Sequence, residues 1–469
     1  MRKVNSVEGT IVEDLIGRGR EAMSLFLGSD QARVDEVVTA IAWSIYQTEN
    51  ATRLAKQAVE NTGLGNVRDK VTKNQRKTFG TLRDLLRVRT VGIIADDPQR
   101  GIVQYAKPVG VVAAITPSTN PVATPVNKAM MAVKGRNAVV IGPSPAGWPA
   151  TATTVDLIRK ELSRVDAPAD LVQVLPAPVS KERTQKLMRA ADLVVVTGSQ
   201  NNVQSAYSSG TPAIGVGAGN VPVIIDSSAD LARAAQKICA SKTFDNSTSC
   251  SSENAIIVLD DVYDAAMEAL VQAGGYRTDP SEKSQIEKHL WINGNLNPRL
   301  TARDSAVFAR AVGLSGAAKE AQFFMVEESH FSADSRFADE KLSLVLTVYR
   351  ARDLDDAIGI IQGVLGVQGR GHSCGIHTAD PEHARRLAEQ IDVVRVLVNQ
   401  AHTFGNGGSF DNGLNFTLSM GCGTWGGNSI SENLNYRHFI NVTHLSTTVE
   451  EDRPSERDLF GSYWAKYGK

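Results

Sequence analysis

One cysteine stands in a setting that favours covalent chemistry. Cys250 lies in the polar run Phe244-Asp245-Asn246-Ser247-Thr248-Ser249-Cys250-Ser251-Ser252-Glu253-Asn254, between a predicted helix and a predicted strand. Free cysteines usually pack in the core as small apolar residues, and this one is surrounded by hydroxyl groups instead. A thiolate attacks carbonyl carbons and holds the product as a thioester. The pattern favours a nucleophile, and an incidental loop cysteine is the alternative.

The other three cysteines fit structural roles better. Cys239 lies on the apolar face of a predicted helix, and Cys374 lies inside a predicted strand. Cys422 lies in a glycine-rich loop and is the one rival of Cys250. Because no pair has CxxC spacing, we expect neither a metal site nor a disulfide framework. Free thiols indicate a reducing cytoplasm, and we see no targeting extension before the first helix.

Two glycine-containing turns are candidates for binding phosphate. The run Gly215-Val216-Gly217-Ala218-Gly219-Asn220 precedes a predicted strand, so it is not the usual dinucleotide fingerprint. Thr197-Gly198-Ser199 directly follows a predicted strand and precedes a helix-length segment. Backbone N–H groups at such a turn point towards a phosphate. We therefore favour Thr197-Gly198-Ser199 as the cofactor turn.

The elements that must position these residues alternate between strand and helix. Apolar spacing predicts helices at 11–27, 32–47 and 51–62, followed by a hairpin at 90–95 and 101–107. Short β-rich runs then alternate with helices, which indicates an α/β fold with parallel strands. The last thirty residues are predicted to form a strand-poor arm. The predicted strands lie at 109–115, 138–142, 171–175, 193–197 and 222–226, and then at 255–259, 323–326, 344–349, 373–377 and 394–399.

The composition excludes several classes of function. The chain has 469 residues and a net charge of -1, with 50 basic and 51 acidic side chains. Such a balance gives no basic surface for nucleic acid or an anionic membrane. Aromatic residues make up only 6% of the chain, which also argues against a surface that stacks bases. No apolar run is long enough to span a bilayer, so we expect no membrane partner.

Taken together, several blocks of sequence resemble the aldehyde dehydrogenase superfamily, and particularly its CoA-acylating branch. The resemblance runs from about residue 67 to residue 446 and implies a Rossmann-like cofactor domain, an α/β catalytic domain and a small oligomerisation element. The blocks are 117–121 (PSTNP), 206–210 (AYSSG), 215–222, 244–253 and 421–433 (GCGTWGGNSISEN).

The resemblance also implies roles for individual residues. Cys250 matches the family's nucleophile, and Asn120 matches the asparagine whose amide contributes to the oxyanion hole. For Asn120 the alternative is a turn residue before Pro121, and for Glu340 it is a solvated carboxylate. Glu340 matches the residue that holds the nicotinamide ribose. The implied cofactor-binding residues are Thr116, Pro117, Ser118, Ser144, Thr197, Gly198, Ser199, Gly217, Glu340 and Leu342.

Two departures from the hydrolytic branch of this family bear on the reaction. Hydrolytic members carry a glutamate base where this chain has Val216, so water is a poor acyl acceptor here and the thiol of CoA is expected to replace it. Hydrolytic members often carry an acid near Ser144, which would repel a 2′-phosphate. Its absence permits NADP, with NAD as the alternative cofactor. Leu344 replaces the proline usual in the acylating branch.

Hydroxyl groups around Cys250 point to an anionic aldehyde as substrate. Thr248, Ser249 and Ser251 are candidate donors, and Arg370 and His402 are candidate charges, although a solvated loop residue is the alternative for either. The pattern resembles most that of acylating sulfoacetaldehyde dehydrogenases, which form sulfoacetyl-CoA. Acylating succinate semialdehyde dehydrogenases are the alternative, because a carboxylate would use the same donors.

Three other classes of protein remain as alternatives to an acylating aldehyde dehydrogenase. A hydrolytic aldehyde dehydrogenase, an acyl-phosphate reductase and a non-enzymatic derivative are the competing classes.

The resemblance also implies how the chain is assembled and divided. We expect a homodimer or homotetramer. The expected parts are 1–228, which binds the dinucleotide and includes the oligomerisation hairpin near 90–107, the catalytic domain 229–406, a return to the cofactor domain at 407–435, and an oligomerisation arm at 436–469.

Overall fold

Two parallel sheets flanked by helices dominate the computed structural model, which describes the backbone of residues 4–469 and the side chains of residues 10–469. The helices are α1 (Val4–Phe26), α2 (Gln31–Tyr46), α3 (Thr48–Thr62), α4 (Val67–Leu86), α5 (Ala123–Lys134), α6 (Trp148–Arg164), α7 (Lys181–Ala190), α8 (Gln200–Tyr207), α9 (Leu231–Thr243), α10 (Tyr263–Gln272), α11 (Pro280–Leu290), α12 (Ser305–Val312), α13 (Leu354–Val367), α14 (Pro381–Gln390), α15 (His402–Gly405) and α16 (Glu456–Tyr467). The strands are β1 (Gly92–Asp97), β2 (Ile102–Pro108), β3 (Val111–Thr116), β4 (Ala138–Pro143), β5 (Val172–Val174), β6 (Leu193–Thr197), β7 (Ala213–Val216), β8 (Val221–Ile225), β9 (Glu253–Leu259), β10 (Gly275–Arg277), β11 (Trp291–Ile292), β12 (Asn295–Leu296), β13 (Phe323–Glu327), β14 (Val345–Ala351), β15 (Cys374–His377), β16 (Val396–Val398) and β17 (Ile440–Ser446).

The first sheet has five parallel strands in the order β5-β4-β3-β6-β7. Its pleat divides each strand between two cores. Val112 and Ala114 of β3 pack with α2, α5 and α6, whereas Val111 and Ala113 pack on the other face with α1. Burial on both faces explains why these strands are continuous apolar runs, and the predicted α/β class is confirmed.

The second sheet has seven parallel strands in the order β10-β13-β14-β9-β8-β15-β16. Ile256 and Val258 of β9 face a core shared with α9, α10, α11 and α12. Ala255 and Ile257 face the opposite core, which α13 and α14 cover. Because its central strands are buried on both faces, this sheet holds the loops at the ends of its strands in fixed positions.

One predicted strand was assigned to the wrong sheet. The strand expected at 222–226 forms as β8, but it pairs with β9 and β15 in the seven-stranded sheet instead of joining the earlier strands. β7, which was not predicted, completes the first sheet beside β6. Its four residues are too short for a periodicity signal. The division of the chain at residues 228, 406 and 435 stays a prediction, although β8 lies before the first boundary and pairs with strands that follow it.

The predicted hairpin and arm meet in a third sheet. β1 and β2 pair antiparallel, as expected, and β17 pairs with the other edge of β2 from Ile440 opposite Pro108 to Ser446 opposite Ile102. The expectation of a strand-poor arm was therefore wrong. β17 is mostly exposed, so it lacks the apolar alternation that marks a half-buried strand.

The two large sheets meet edge to edge. The turns that follow β3, β6 and β7 leave the carboxyl edge of the first sheet, and the segments that precede β9 and β14 enter the amino edge of the second. Ligands of open α/β sheets bind beyond the carboxyl ends of the strands. None of the helices in residues 4–469 is both long and apolar enough to cross a membrane.

Candidate active site

A cavity of about 330 Å³ lies between these two edges. Its wall combines the turns after three strands of the first sheet with the segments that precede two strands of the second. Most of the predicted site residues line it. The lining residues are Lys77, Pro117, Ser118, Thr119, Asn120, Thr197, Gly198, Ser199, Val216, Gly217, Ala218, Thr248, Ser249, Cys250, Ser251, Glu340, Leu342, Thr403, Gly407, Thr417, Leu418 and Met420.

The turn that presents Cys250 has an unusual backbone. Between α9 and β9, Asp245, Asn246 and Ser247 have φ angles of 51°, 53° and 59°. Residues with a Cβ avoid this left-handed region, at a cost of roughly 1–2 kcal/mol each. Three such residues in succession require support from the surroundings. The side chain of Asp245 supplies that support.

Asp245 is fully buried and lies at the centre of a hydrogen-bonded network. Its Oδ2 accepts hydrogen bonds from Lys70 Nζ at 3.0 Å and from Lys73 Nζ at 2.5 Å. The Thr248 hydroxyl donates to the same oxygen at 2.7 Å, and the backbone N–H of Asn66 donates to Oδ1 at 3.0 Å. Burial alone would raise the pKa of Asp245, but Lys73 and Lys70 outweigh it and hold the pKa below its usual range. The carboxylate is therefore ionised and fixed.

Lys73 also fixes the orientation of Asn120. Its Nζ donates to Asn120 Oδ1 at 2.9 Å and to the Thr248 hydroxyl at 3.1 Å. An ammonium group can only donate, so the amide oxygen must face Lys73 and the amide nitrogen must face away from it. Within the described residues Asn120 Nδ2 has only a long contact of 3.4 Å, to the Thr119 hydroxyl. This nitrogen is available as a donor to an oxyanion in the cavity.

The backbone and Cβ of Cys250 are packed closely against Gly219. A Cβ at position 219 would clash with the carbonyl oxygen and the Cβ of Cys250, so only glycine fits there. Burial, reinforced by the nearby Glu340, raises the pKa of Cys250 to about 12. The free protein therefore holds a thiol, and the nucleophilic thiolate must form when ligands change its surroundings.

Glu340 provides an unsatisfied acceptor on the cavity wall. Its Oε2 accepts a hydrogen bond from Gln368 Nε2 at 3.3 Å, whereas Oε1 is buried and has no hydrogen-bond partner among the described residues. Burial, and secondarily Asp339, raises the pKa of Glu340 to about 8. A buried orphan carboxylate oxygen fits the hydroxyl donors of a ribose. Leu342 follows in a left-handed conformation with a φ of 41° and also lines the cavity.

The other predicted cofactor residues follow the ends of the strands of the first sheet. Pro117 and Ser118 after β3, Thr197-Gly198-Ser199 at the end of β6, and Gly217 after β7 all line the cavity. Thr116 lies behind this wall, where its buried hydroxyl oxygen has no hydrogen-bond partner among the described residues. Ser144 follows β4 outside the cavity, and its backbone N–H donates to the Thr116 carbonyl at 3.2 Å.

Known proteins resemble this chain in both sequence and architecture. The model of the aldehyde dehydrogenase family matches residues 11–279. The chain belongs to the aldehyde dehydrogenase family. It is 50% identical to the acylating sulfoacetaldehyde dehydrogenase of Cupriavidus necator, over 98% of this chain and 93% of that protein. It is 36% identical to the acetylating succinate-semialdehyde dehydrogenase of Clostridium kluyveri, over 96% and 99%.

Solved structures agree with this assignment. The acetylating aldehyde dehydrogenase of Geobacillus thermoglucosidasius is 34% identical to this chain and superposes with a TM-score of 0.92, covering 97% of this chain and 100% of that one. The predicted resemblance to acylating aldehyde dehydrogenases and the predicted fold class are confirmed.

In this aldehyde dehydrogenase the hydroxyls beside Cys250 are already engaged. Thr248 donates to Asp245, as described above. The Ser249 hydroxyl accepts from the Ser251 backbone N–H at 3.2 Å, and the Ser251 hydroxyl accepts from Asn406 Nδ2 at 2.9 Å. The Ser251 side chain also hydrogen bonds to the Cys250 thiol and partly opposes the rise in its pKa. These contacts hold the nucleophile's loop together, and the predicted role of the three hydroxyl groups as donors to the substrate stays a prediction.

The two predicted charges lie outside the cavity of this aldehyde dehydrogenase. Arg370 is exposed and donates from Nη2 to Asp392 Oδ2 at 2.5 Å. His402 is buried, its Nε2 lies 2.9 Å from the Ser373 hydroxyl, and burial lowers its pKa to about 3. A neutral, buried imidazole cannot supply positive charge. Neither residue lines the cavity, and their predicted contact with the substrate stays a prediction.

Sequence reasoning missed the wall contributed by α4 and the loop after α15. Lys77, Gly407 and Thr417 line the cavity, and Gly407 accepts hydrogen bonds from the other two, from Lys77 Nζ at 2.7 Å and from the Thr417 N–H at 3.0 Å. A signal was present, because Lys70, Lys73 and Lys77 fall on one face of a helix by their spacing of three and four residues. Nothing in the sequence indicated that this face is buried.

The orientation of Asn120 predicts the effect of replacing Lys73. Lys73→Met removes the donor that holds the amide oxygen, so we expect kcat to fall roughly 10- to 100-fold, as for impaired oxyanion donors elsewhere. Lys70→Met is the matched control, because Lys70 binds the same carboxylate but not Asn120. Thermal unfolding should show similar losses of Tm for the two variants. Steady-state kinetics should show a much smaller loss of kcat for Lys70→Met than for Lys73→Met. Equal losses of kcat would show that Lys73 acts through stability alone.

Proposed function

We propose that this aldehyde dehydrogenase oxidises sulfoacetaldehyde and transfers the acyl group to CoA, forming sulfoacetyl-CoA with reduction of NAD(P)+. The proposal rests chiefly on the residue type at position 216, in the cavity that Cys250 lines. Val216, and not a carboxylate, lines the cavity where hydrolytic relatives place the base that activates water. A thioester on Cys250 then lacks an activated water and persists until a thiol arrives. The 50% identity to an acylating sulfoacetaldehyde dehydrogenase supports the same reaction.

The side chains of this enzyme perform complementary steps. The Cys250 sulfur, once it has lost its proton, forms a bond to the aldehyde carbon, and Asn120 Nδ2 donates to the oxygen that becomes negative. Loss of hydride from that carbon restores the carbonyl and leaves a thioester on Cys250. The sulfur of CoA then forms a bond to the same carbon, the bond from that carbon to the Cys250 sulfur breaks, and the proton of the CoA thiol balances the thiolate released on Cys250. Because one thioester replaces another, acyl transfer changes the free energy little, and the reaction can run in both directions.

The residues present fit a nicotinamide dinucleotide, which supplies the hydride acceptor when bound. The orphan oxygen of Glu340 would accept from ribose hydroxyls, and Thr197-Gly198-Ser199 precedes α8, whose first N–H groups point towards a phosphate. Ser144 carries no charge that would repel a 2′-phosphate, which favours NADP over NAD. CoA is the second co-substrate.

An ω-anionic aldehyde remains the proposed substrate, and sulfoacetaldehyde is favoured over succinate semialdehyde. Identity to the sulfoacetaldehyde enzyme of Cupriavidus necator is 50%, against 36% for the succinate-semialdehyde enzyme of Clostridium kluyveri. Both anions offer several acceptor oxygens. The sulfonate oxygens lie close to the reacting carbonyl, which suits a small cavity of about 330 Å³.

The first experiment measures NAD(P)H formation from sulfoacetaldehyde with and without CoA, in wild type and in Cys250→Ala. We expect turnover that requires CoA and disappears in the variant, because the variant cannot form the thioester. Succinate semialdehyde in the same assay gives the substrate preference. Turnover without CoA would contradict acylation, and turnover in Cys250→Ala would contradict the covalent mechanism.

Val216→Glu tests the physical reason for acylation. A carboxylate at this position can activate water, so we expect CoA-independent product formation to rise at least about tenfold. Val216→Gln is the matched control, since it has nearly the same shape and no basic group. The free acid is measured by chromatography. A rise in both variants would point to a change in access to the cavity instead of base catalysis.

We also infer that the third sheet and the last helix join protomers as a homodimer or homotetramer. α16 has no buried residue, and Leu459, Phe460 and Tyr463 are 61%, 50% and 60% exposed. Large apolar patches of this kind mark interfaces. The four free cysteines are consistent with the cytoplasmic location that we propose. A monomer in sedimentation experiments at micromolar concentration would contradict the inferred assembly.

A further inference from the structure

One ammonium group on the cavity wall, that of Lys77, has no carboxylate partner among the described residues. Lys77 lies one helical turn beyond Lys73 on α4 and lines the cavity wall. Its Nζ donates to the Gly407 carbonyl oxygen at 2.7 Å. No ion pair with a carboxylate oxygen within 4.0 Å is found for it among the described residues. Lys70 and Lys73, in contrast, share Asp245.

The surroundings of Lys77 make the missing counter-ion significant. Burial lowers its pKa to about 7, and the neighbouring Arg76 and Lys73 lower it further in the same direction. Its Nζ lies 5.4 Å from the centre of the Phe416 ring, which offers only a weak attraction for a cation. A partly buried ammonium without a carboxylate is costly. A negatively charged ligand entering the cavity would relieve that cost.

We propose that Lys77 binds the anionic group of the aldehyde and thereby selects ω-anionic aldehydes over neutral ones. This inference rests on the proposed function and assigns its specificity to one side chain. Lys73 touches Asn120, which faces the reacting carbonyl. Four residues along an α-helix advance about 6 Å, so Lys77 follows Lys73 by about one turn of α4 and lines the same cavity as Asn120. A sulfonate one carbon away from the carbonyl carbon spans a comparable distance.

Three hydroxyl groups of the cavity wall donate to protein acceptors, whereas Lys77 carries the ammonium group among the described lining residues. The Thr403 hydroxyl donates to the Ser241 carbonyl at 3.2 Å, and the Thr417 hydroxyl lies 3.4 Å from the Ser419 carbonyl. Thr248 donates to Asp245. Among the described lining residues the other ionisable groups are Cys250 and Glu340, and neither can attract an anion. A charge-assisted hydrogen bond from an ammonium to a sulfonate is correspondingly strong.

The test compares kcat/KM for sulfoacetaldehyde and for propanal, both with CoA, in wild type and Lys77→Met. We expect the ratio of the two values to fall roughly 10- to 100-fold, mainly through a higher KM for sulfoacetaldehyde. Lys77→Arg should retain most of the preference. Arg83→Met is the matched control, because Arg83 lies on the same helix and over the same Phe416 ring but outside the cavity. It should leave the ratio unchanged.

The outcomes separate this inference from the function on which it rests. Absence of CoA-dependent oxidation of sulfoacetaldehyde by the wild type would refute the proposed function. A wild type that is active, with the same ratio in Lys77→Met, would overturn the role of Lys77. Equal losses with both aldehydes would also overturn it, since a residue that merely supports the Gly407 loop affects every substrate alike.

A pH profile provides a second test should Lys77→Met fold poorly. Because the pKa of Lys77 in the free enzyme is about 7, the ratio of kcat/KM values for sulfoacetaldehyde and propanal should fall as the pH rises from about 6 to about 9. Lys73 and Arg76 face Lys77 from the same helix, and Cys250 and Glu340 face the cavity, where they act on both aldehydes and cancel in the ratio. Lys77→Arg should flatten the profile. A flat profile in the wild type would contradict the proposal.

Discussion

The buried ion pair between Lys73 and Asp245 joins parts of the active site that lie far apart in the chain. The two residues are separated by 172 positions. Through Lys73 the pair orients Asn120, and through Asp245 it supports the left-handed turn that presents Cys250. Removing Asp245 would leave Lys70 and Lys73 without a counter-charge, and breaking a buried ion pair in this way typically costs about 3–5 kcal/mol. Nucleophile and oxyanion donor thus depend on one interaction.

This arrangement leaves excess positive charge beside the reacting carbonyl. Lys70 and Lys73 share the single charge of Asp245, and Lys77 has no acidic partner among the described residues. On the cofactor side the ionisable group is Glu340, whose burial favours the protonated form. The cavity is therefore suited to an anion at the aldehyde end and to neutral hydroxyl donors at the nicotinamide end. The same charges that build the oxyanion site also favour an anionic substrate.

The sequence predicted the strands of both sheets well because a strand buried on both faces is a continuous apolar run. It also singled out Cys250, Asn120 and Glu340, which the structure places around one cavity. The sequence did not predict elements whose structure depends on contacts with distant parts of the chain. β17 is mostly exposed and pairs with β2 chiefly through its backbone, so it leaves no apolar pattern.

Charged residues were the hardest to place from sequence. Arg370 was proposed as a charge for an anionic substrate, yet its side chain is exposed and donates to Asp392. Lys77 had the right helical spacing, but spacing does not reveal which helical face is buried. Only the packing of α4 against the loop that contains Gly407 brings it to the cavity.

The central claim is that Cys250 carries the acyl group and that CoA, not water, removes it. Intact-protein mass spectrometry after incubation with sulfoacetaldehyde and oxidised dinucleotide, without CoA, tests it most directly. We expect one added sulfoacetyl group on wild type, none on Cys250→Ala, and loss of the group with formation of sulfoacetyl-CoA when CoA is added. An adduct on another residue, or one that water removes as fast as CoA does, would contradict the account.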